Sequence, residues 1–204
     1  MKRMFFLLFW MLFLVVSVTG ALAGDIQKGV IEVDGALDLA YESGSSQSTG
    51  NEKVTTDQLN VNFVNIYYFA KNIGAGLHCE YEQSEADQVD DYSGGVVTSK
   101  STTYLIGPSL KMQFSVLDKV NLFVSATAGK SDLTVKNNDY TIDGDGSGWK
   151  VAAGASYFLL ENLAVNLQLY YLEMNMTMKS SMLGEYDYDY NKSSVNLGLS
   201  FYID

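Results

Sequence analysis

Side chains alternate between apolar and polar with a period of two through most of the chain. From residue 31 to 41 one set reads Ile31, Val33, Gly35, Leu37, Leu39, Tyr41 and the other reads Glu32, Asp34, Ala36, Asp38, Ala40. Successive side chains of a strand point to opposite faces, so this segment is a strand with one greasy face and one acidic face. The far end repeats the pattern, with Val195, Leu197, Leu199, Phe201 and Ile203 on one face and Ser194, Asn196, Gly198, Ser200 and Tyr202 on the other. Segments 120–129 and 149–159 carry it between them, and helical spacing fits none of these runs. The runs predict eight strands, over 29–41, 57–70, 73–84, 101–115, 120–132, 147–159, 163–178 and 188–203.

The connections carry further information. Polar stretches at 42–56, 85–100, 133–146 and 179–187 alternate strictly with tight turns at Lys71-Asn72, 116–119 and 160–162. An up-and-down membrane barrel has short turns at one end and longer loops at the other, whereas a soluble sandwich has no reason to sort them so. The expected fold class is therefore an all-β, eight-stranded antiparallel up-and-down transmembrane barrel. In lipid the apolar face of such a barrel turns outward. The polar face here is small, with Gly74, Gly76, Gly107, Gly129, Gly154 and Gly198 among Ser and Asn, which suits the crowded inside of a narrow barrel. Along the fourth strand the outward row from Tyr104 to Phe114 spans ~25 Å after tilt, the height of an apolar band. Tyr41, Tyr81, Tyr104, Trp149 and Tyr171 are expected near the outer rim, and Phe69, Phe114, Tyr157 and Phe201 near the inner one, as two aromatic girdles.

The chain's first residues supply an address. Lys2 and Arg3 precede an apolar run over 4–16, then Ser17 to Gly20 and Ala21-Leu22-Ala23, the layout of a secretory signal cut after Ala23. Residues 1–23 are thus expected to be removed and 24–204 to form one barrel domain. The remainder holds eleven lysines, no arginine and 24 acidic residues, a net charge of −13. Such a chain is a poor nucleic-acid binder and lacks the arginine forks that clamp phosphate. Cys79 is alone, so no intrachain disulfide and no cysteine-rich zinc site can form.

The arrangement resembles the eight-stranded outer-membrane barrels of the OmpA transmembrane domain and OmpX type, over residues 29–203. Its most specific piece is Asn196-Leu197-Gly198-Leu199-Ser200-Phe201-Tyr202-Ile203, which resembles the C-terminal signal read by the outer-membrane assembly machinery, with Gly198, Phe201 and Ile203 in the key places. Asp204 departs from the usual terminal aromatic. Segments 68–74 and 157–164 resemble the aromatic-turn-Asn-hydrophobic pieces of such barrels. The resemblance implies residence in the outer membrane of a Gram-negative envelope, contact with its lipid and lipopolysaccharide, and passage through the assembly machinery as a monomer.

Alternation sends Glu32, Asp34, Asp38, His78, Glu80, Lys111 and Lys150 into the lumen, where an unpaired charge costs several kcal/mol, roughly. A plugging lattice of ion pairs and hydrogen bonds is expected, and a narrow pore for ions or small solutes is the alternative. Four acids against two lysines call for a carboxylate that is protonated, hydrated or paired with the histidine. Cys79 lies between His78 and Glu80 and so faces lipid, which rules out a Cys-His pair and leaves one mid-strand histidine as the slim basis for an enzyme. Asp143-Gly144-Asp145-Gly146 resembles the start of a calcium loop but lacks the distal Glu, so a tight acidic turn is expected and no metal or cofactor. The loop acids Glu82, Glu85, Asp87, Asp90, Asp91, Glu185, Asp187 and Asp189 could hold divalent ions weakly beside anionic lipopolysaccharide, but solvation of the exterior suffices to explain them. Three irregularities stand out: Pro108 within the fourth strand, Asn65 on the lipid face, and a change of phase after Tyr170-Tyr171. Past that point Leu172, Met174, Met176 and Met178 take the polar parity, which predicts a bulge or an extension above the membrane. The function expected from all this is a non-enzymatic barrel with a structural or surface-interaction role through four extracellular loops.

Overall fold

A computed structural model describes residues 25–38, 54–89, 96–136, 141–180 and 184–204. Its strands are β1 (Ile31–Asp38), β2 (Val54–Ala70), β3 (Ile73–Val89), β4 (Val96–Leu117), β5 (Val120–Lys136), β6 (Thr141–Leu160), β7 (Leu163–Ser180) and β8 (Gly184–Ile203). Each pairs antiparallel with its neighbour in sequence, and β1 pairs with β8 to close the ring. Among the described residues there is no helix.

The tight turns fall where the sequence places them, at Lys71-Asn72, Asp118-Lys119 and Glu161-Asn162. Asn72 adopts φ 63°, a left-handed conformation that its short polar side chain tolerates. A shift of register accompanies each turn, between Tyr68 and Ala70, Ser115 and Leu117, and Phe158 and Leu160. The outward rows are exposed as expected, with Leu77, Tyr104, Ile106, Leu110, Leu167, Leu199 and Phe201 among them.

At the opposite end the described parts of the expected loops are strand. Segments 85–89, 96–100, 133–136, 141–146, 179–180 and 184–187 continue the ladders as paired ribbons, so strands there run well past the greasy rows. Backbone pairing needs no apolar side chain, so a ribbon persists in water once its neighbour is in register. Asp143 to Gly146 are correspondingly not a turn but part of β6, paired on both sides. Glu82, Glu85, Asp87, Glu185, Asp187 and Asp189 also lie in strands, while Asp90 and Asp91 fall outside the described residues.

Of the two forms expected past Tyr170-Tyr171, a bulge or an extension, the strand takes the extension. The ladder of β7 with β6 and β8 runs through Tyr170, Tyr171 and Leu172 without a shift, so no bulge exists there. Leu172, Met174, Met176 and Met178 simply stay on the inner face and are buried, while Glu173, Asn175, Thr177 and Lys179 face outward. Pro108 keeps its register with β3 but, with Gly107, drops out of the pairing with β5. The local break follows from the missing donor, and Gly107 packs there so tightly on Ala128 and Gly129 that a Cβ would collide with backbone. Asn65 is exposed on the outer surface, as its parity requires.

Candidate functional site

The lumen is filled in three levels. At the turn end, Ile26 and Val30 pack on Ile66, Tyr68, Ala164 and Tyr202. This strap is held by Asn72, whose N–H donates to the Ile26 carbonyl at 3.0 Å and whose Oδ1 accepts from the Ile26 N–H at 2.8 Å. Asn72 Nδ2 also donates to Asp25, which is ion-paired with Lys71. These two partners hold the Asp25 carboxyl below its ordinary pKa, the lysine hydrogen bond contributing most.

Above the strap, Glu32 is fully buried at the centre of a cluster. It accepts from Lys111 Nζ at 2.6 Å, the Tyr68 hydroxyl at 2.7 Å, the Tyr202 hydroxyl at 3.1 Å and Gln113 Nε2 at 3.2 Å. The Ser200 hydroxyl lies within reach of both Glu32 and Asp34, at 2.7 and 2.9 Å, and Lys111 is 4.0 Å from Asp34. A second cluster surrounds Glu80, which accepts from Lys150 Nζ at 2.7 Å and Asn60 Nδ2 at 2.9 Å, with His78 Nε2 at 3.2 Å. Beside it, Glu82 accepts from Tyr190 at 2.8 Å and Lys192 at 3.2 Å. Both central lysines also sit over rings, Lys111 on Phe123 and Lys150 on Tyr170. Glu32, Glu80 and Glu82 each meet a lysine within hydrogen-bond reach, which is the condition for keeping a carboxylate charged away from water, whereas Asp34 accepts from Asn166 and Ser200.

Of the lumen residues expected from alternation, Glu32, Asp34, His78, Glu80, Lys111 and Lys150 are all buried inside and joined in these clusters. The backbone of Asp38 is in β1 but its side chain is outside the described part. The pairing of the histidine with a carboxylate holds at Glu80. Cys79, half-buried, stands opposite Phe63 and Ile106 of the exposed outer rows. Glu82, within the expected third strand but grouped with the loop acids, belongs to the lumen, in step with His78 and Glu80. Tyr68, Gln113, Asn166, Lys192, Ser200 and Tyr202 complete the clusters and were not singled out. Parity was the signal for them, since each alternates in step with a residue already placed inside.

The third level is apolar. Leu105, Leu133, Ile142, Ala152, Tyr170, Leu172, Met174, Met176 and Met178 form one buried group. Gly144, Gly146 and Gly148 of β6 face Met178, Met176 and Met174 of β7, and a Cβ on Gly148 would lie 2.9 Å from Met174 Cγ. Bare backbone on one strand makes room for long side chains on the next.

Outside, Tyr81 packs against Tyr104 and Trp149 against Tyr171 in tilted pairs, with ring centroids 5.1 and 5.3 Å apart. The Tyr81 and Tyr171 hydroxyls donate to Gln83 and Glu173, on the extension side. Tyr157, Phe201 and Phe69 are exposed near the turn end and Phe114 is half-buried there, while Tyr41 falls outside the described residues. An apolar belt between two aromatic rows around a closed cylinder is the exterior of a membrane barrel.

The family of outer membrane protein beta-barrel domains matches residues 9–201. The chain belongs to that family. As an outer membrane barrel it resides in the outer membrane. Outer membrane protein OprG from Pseudomonas aeruginosa is similar in structure, with a TM-score of 0.51 and 14% identity over 87% of this chain and 97% of that one. Outer Membrane Protein W of Escherichia coli aligns at a TM-score of 0.45 and 17% identity, covering 87% and 99%. The outer membrane protease OmpT from Escherichia coli aligns at 0.40 and 10%, covering 86% and 94%. No curated protein matches the chain. In this outer membrane barrel His78 pairs with Glu80 at 3.2 Å.

Proposed function

We propose that this outer membrane barrel is a non-enzymatic structural and surface-interaction protein whose lumen is closed and whose paired outer ribbons are its working surface. The observation that carries the reading is the filling of the lumen: a strap at the inner end, ion-paired clusters in the middle and a methionine-rich core toward the outside. A continuous water path has to breach all three.

In this reading residues 1–23 are a cleaved signal. The lipid-facing Phe201 and Ile203, with the inward Gly198, present the motif read by the assembly machinery. The mature barrel stands as a monomer among lipid and lipopolysaccharide, binds no nucleic acid and requires no cofactor. Purified protein in a planar bilayer is expected to stay silent under varied voltage; reproducible conductance replaces the reading with a narrow pore. On intact cells, protease is expected to cut near residues 45–50, Gly94 and Asn137 and to spare Lys71, Asp118 and Asn162. The reverse pattern inverts the orientation.

A further inference from the structure

A cavity of about 20 Å³ separates the Glu32 cluster from the Glu80 cluster. Asp34, Asn62, His78, Lys111, Lys150 and Gln168 line it. The volume suffices for one water, which needs roughly 10–15 Å³ on the same measure. Asn62 is only 1% exposed, and neither its Nδ2 nor its Oδ1 has a protein partner. Buried carboxamides seldom stay so, because leaving a donor and an acceptor both unmade is costly.

The lining decides the class of occupant. An anion placed there meets the Asp34 carboxylate, and a cation meets two ammonium groups, those of Lys111 and Lys150. Asn62 asks for a partner that both accepts and donates. A small neutral molecule with both capacities satisfies Asn62 without opposing either sign of charge. We propose that the cavity is a binding site for a single ordered water that joins the two ion-pair clusters into one hydrogen-bonded network. Strap and methionine core lie on either side of it, so this water exchanges slowly with the bulk. Its presence does not depend on the closed-lumen reading; only its slow exchange does.

The test uses the folded, full barrel in detergent micelles, with water-to-protein cross-relaxation read at the side-chain amides of Asn62 and Gln168. Cross-peaks at both, with the sign of a water held longer than molecular tumbling, are the expected result. No cross-peak at either amide overturns the site. Cross-peaks with the sign of fast exchange keep the site and reject the enclosure, and bilayer conductance decides that second point separately. Crystals soaked in bromide, and others in rubidium, are expected to show no anomalous peak in the cavity. A peak from either ion overturns the assignment to water. Asn62→Leu, checked for folding by its heat-modifiable gel mobility, is expected to abolish the Gln168 cross-peak. Persistence of that peak in the folded variant removes Asn62 from the site.

Discussion

The membrane band and the outer extension of this barrel share continuous strands, and along β7 the two faces are exchanged between them. In the band, leucine, tyrosine and phenylalanine face out while Glu32, Lys111, Glu80 and Lys150 face in. In the extension of β7, Glu173, Asn175, Thr177 and Lys179 face out while Met174, Met176 and Met178 face in. The backbone ladder passes from one region to the other without a slip. Solvent, not pairing, decides which face is greasy: hydrocarbon outside the band demands apolar side chains there, and water outside the extension returns them to the interior. Above the aromatic rows β7 carries, in effect, the faces of a soluble strand on the backbone of a membrane one.

The largest effect should come from the polar lumen of the band. Lys150→Met strands the Glu80 charge and is expected to cost about 3–5 kcal/mol, as for other broken buried pairs. Reversible urea unfolding in micelles, followed by the fluorescence of Trp149, measures it. Combining it with Glu80→Leu should recover most of the loss, since replacing both charges by apolar groups is often neutral. A double variant as unstable as the single one denies that the pair is the reason.

In the extension the interior should behave like an ordinary core. Met176→Ala is expected to lose about 2–5 kcal/mol, and Met176→Leu less than about 1.5. Equal losses for both, in the same unfolding assay, argue against close packing there. The outer faces give a sharper contrast. Leu110→Lys places a cation against hydrocarbon and should cost about 2–4 kcal/mol near the bilayer middle. Thr177→Lys should stay within about 0.5 kcal/mol, as for a surface position in water. Similar costs at the two sites erase the boundary between the regions.

The smallest effect concerns the strap. The Asp25 carboxyl is held below its ordinary value near 3.8 by Lys71 and Asn72. Its contribution is therefore complete above that value and disappears as pH falls through the lower folded pKa. Hydrogen exchange at the Ile26 amide should quicken only in that acid range. Asp25→Asn should remove the pH dependence; a wild-type profile that changes near neutrality instead implicates another group.

Strand number, turn positions and the inward set of charges were legible in the sequence because a period of two is read locally. The strand ends in the extension were not. There the polar row is outside and the apolar row inside, so Leu172 and the methionines read equally as a slip of one residue or as an extension into another solvent. Asp143 to Gly146 looked like a turn because glycine and aspartate are common in turns. The role of those glycines depends on methionines some thirty residues later, which no local pattern exposes. Glu82 shares the inward parity of His78 and Glu80, but its lysine and tyrosine partners lie more than a hundred residues away.

Closure of the ring by β1 and β8 brings a last consequence, for the order of assembly. Glu32 reaches Ser200 and Tyr202 across 168 and 170 residues of chain, directly over the joint between first and last strands. Until those strands meet, this carboxylate lacks part of its shell inside an otherwise dry wall. A half-zipped sheet therefore carries a local penalty that only completion relieves, and contacts so distant along the chain form slowly. The joint should be the late event in maturation, with Glu32 serving as its internal checkpoint.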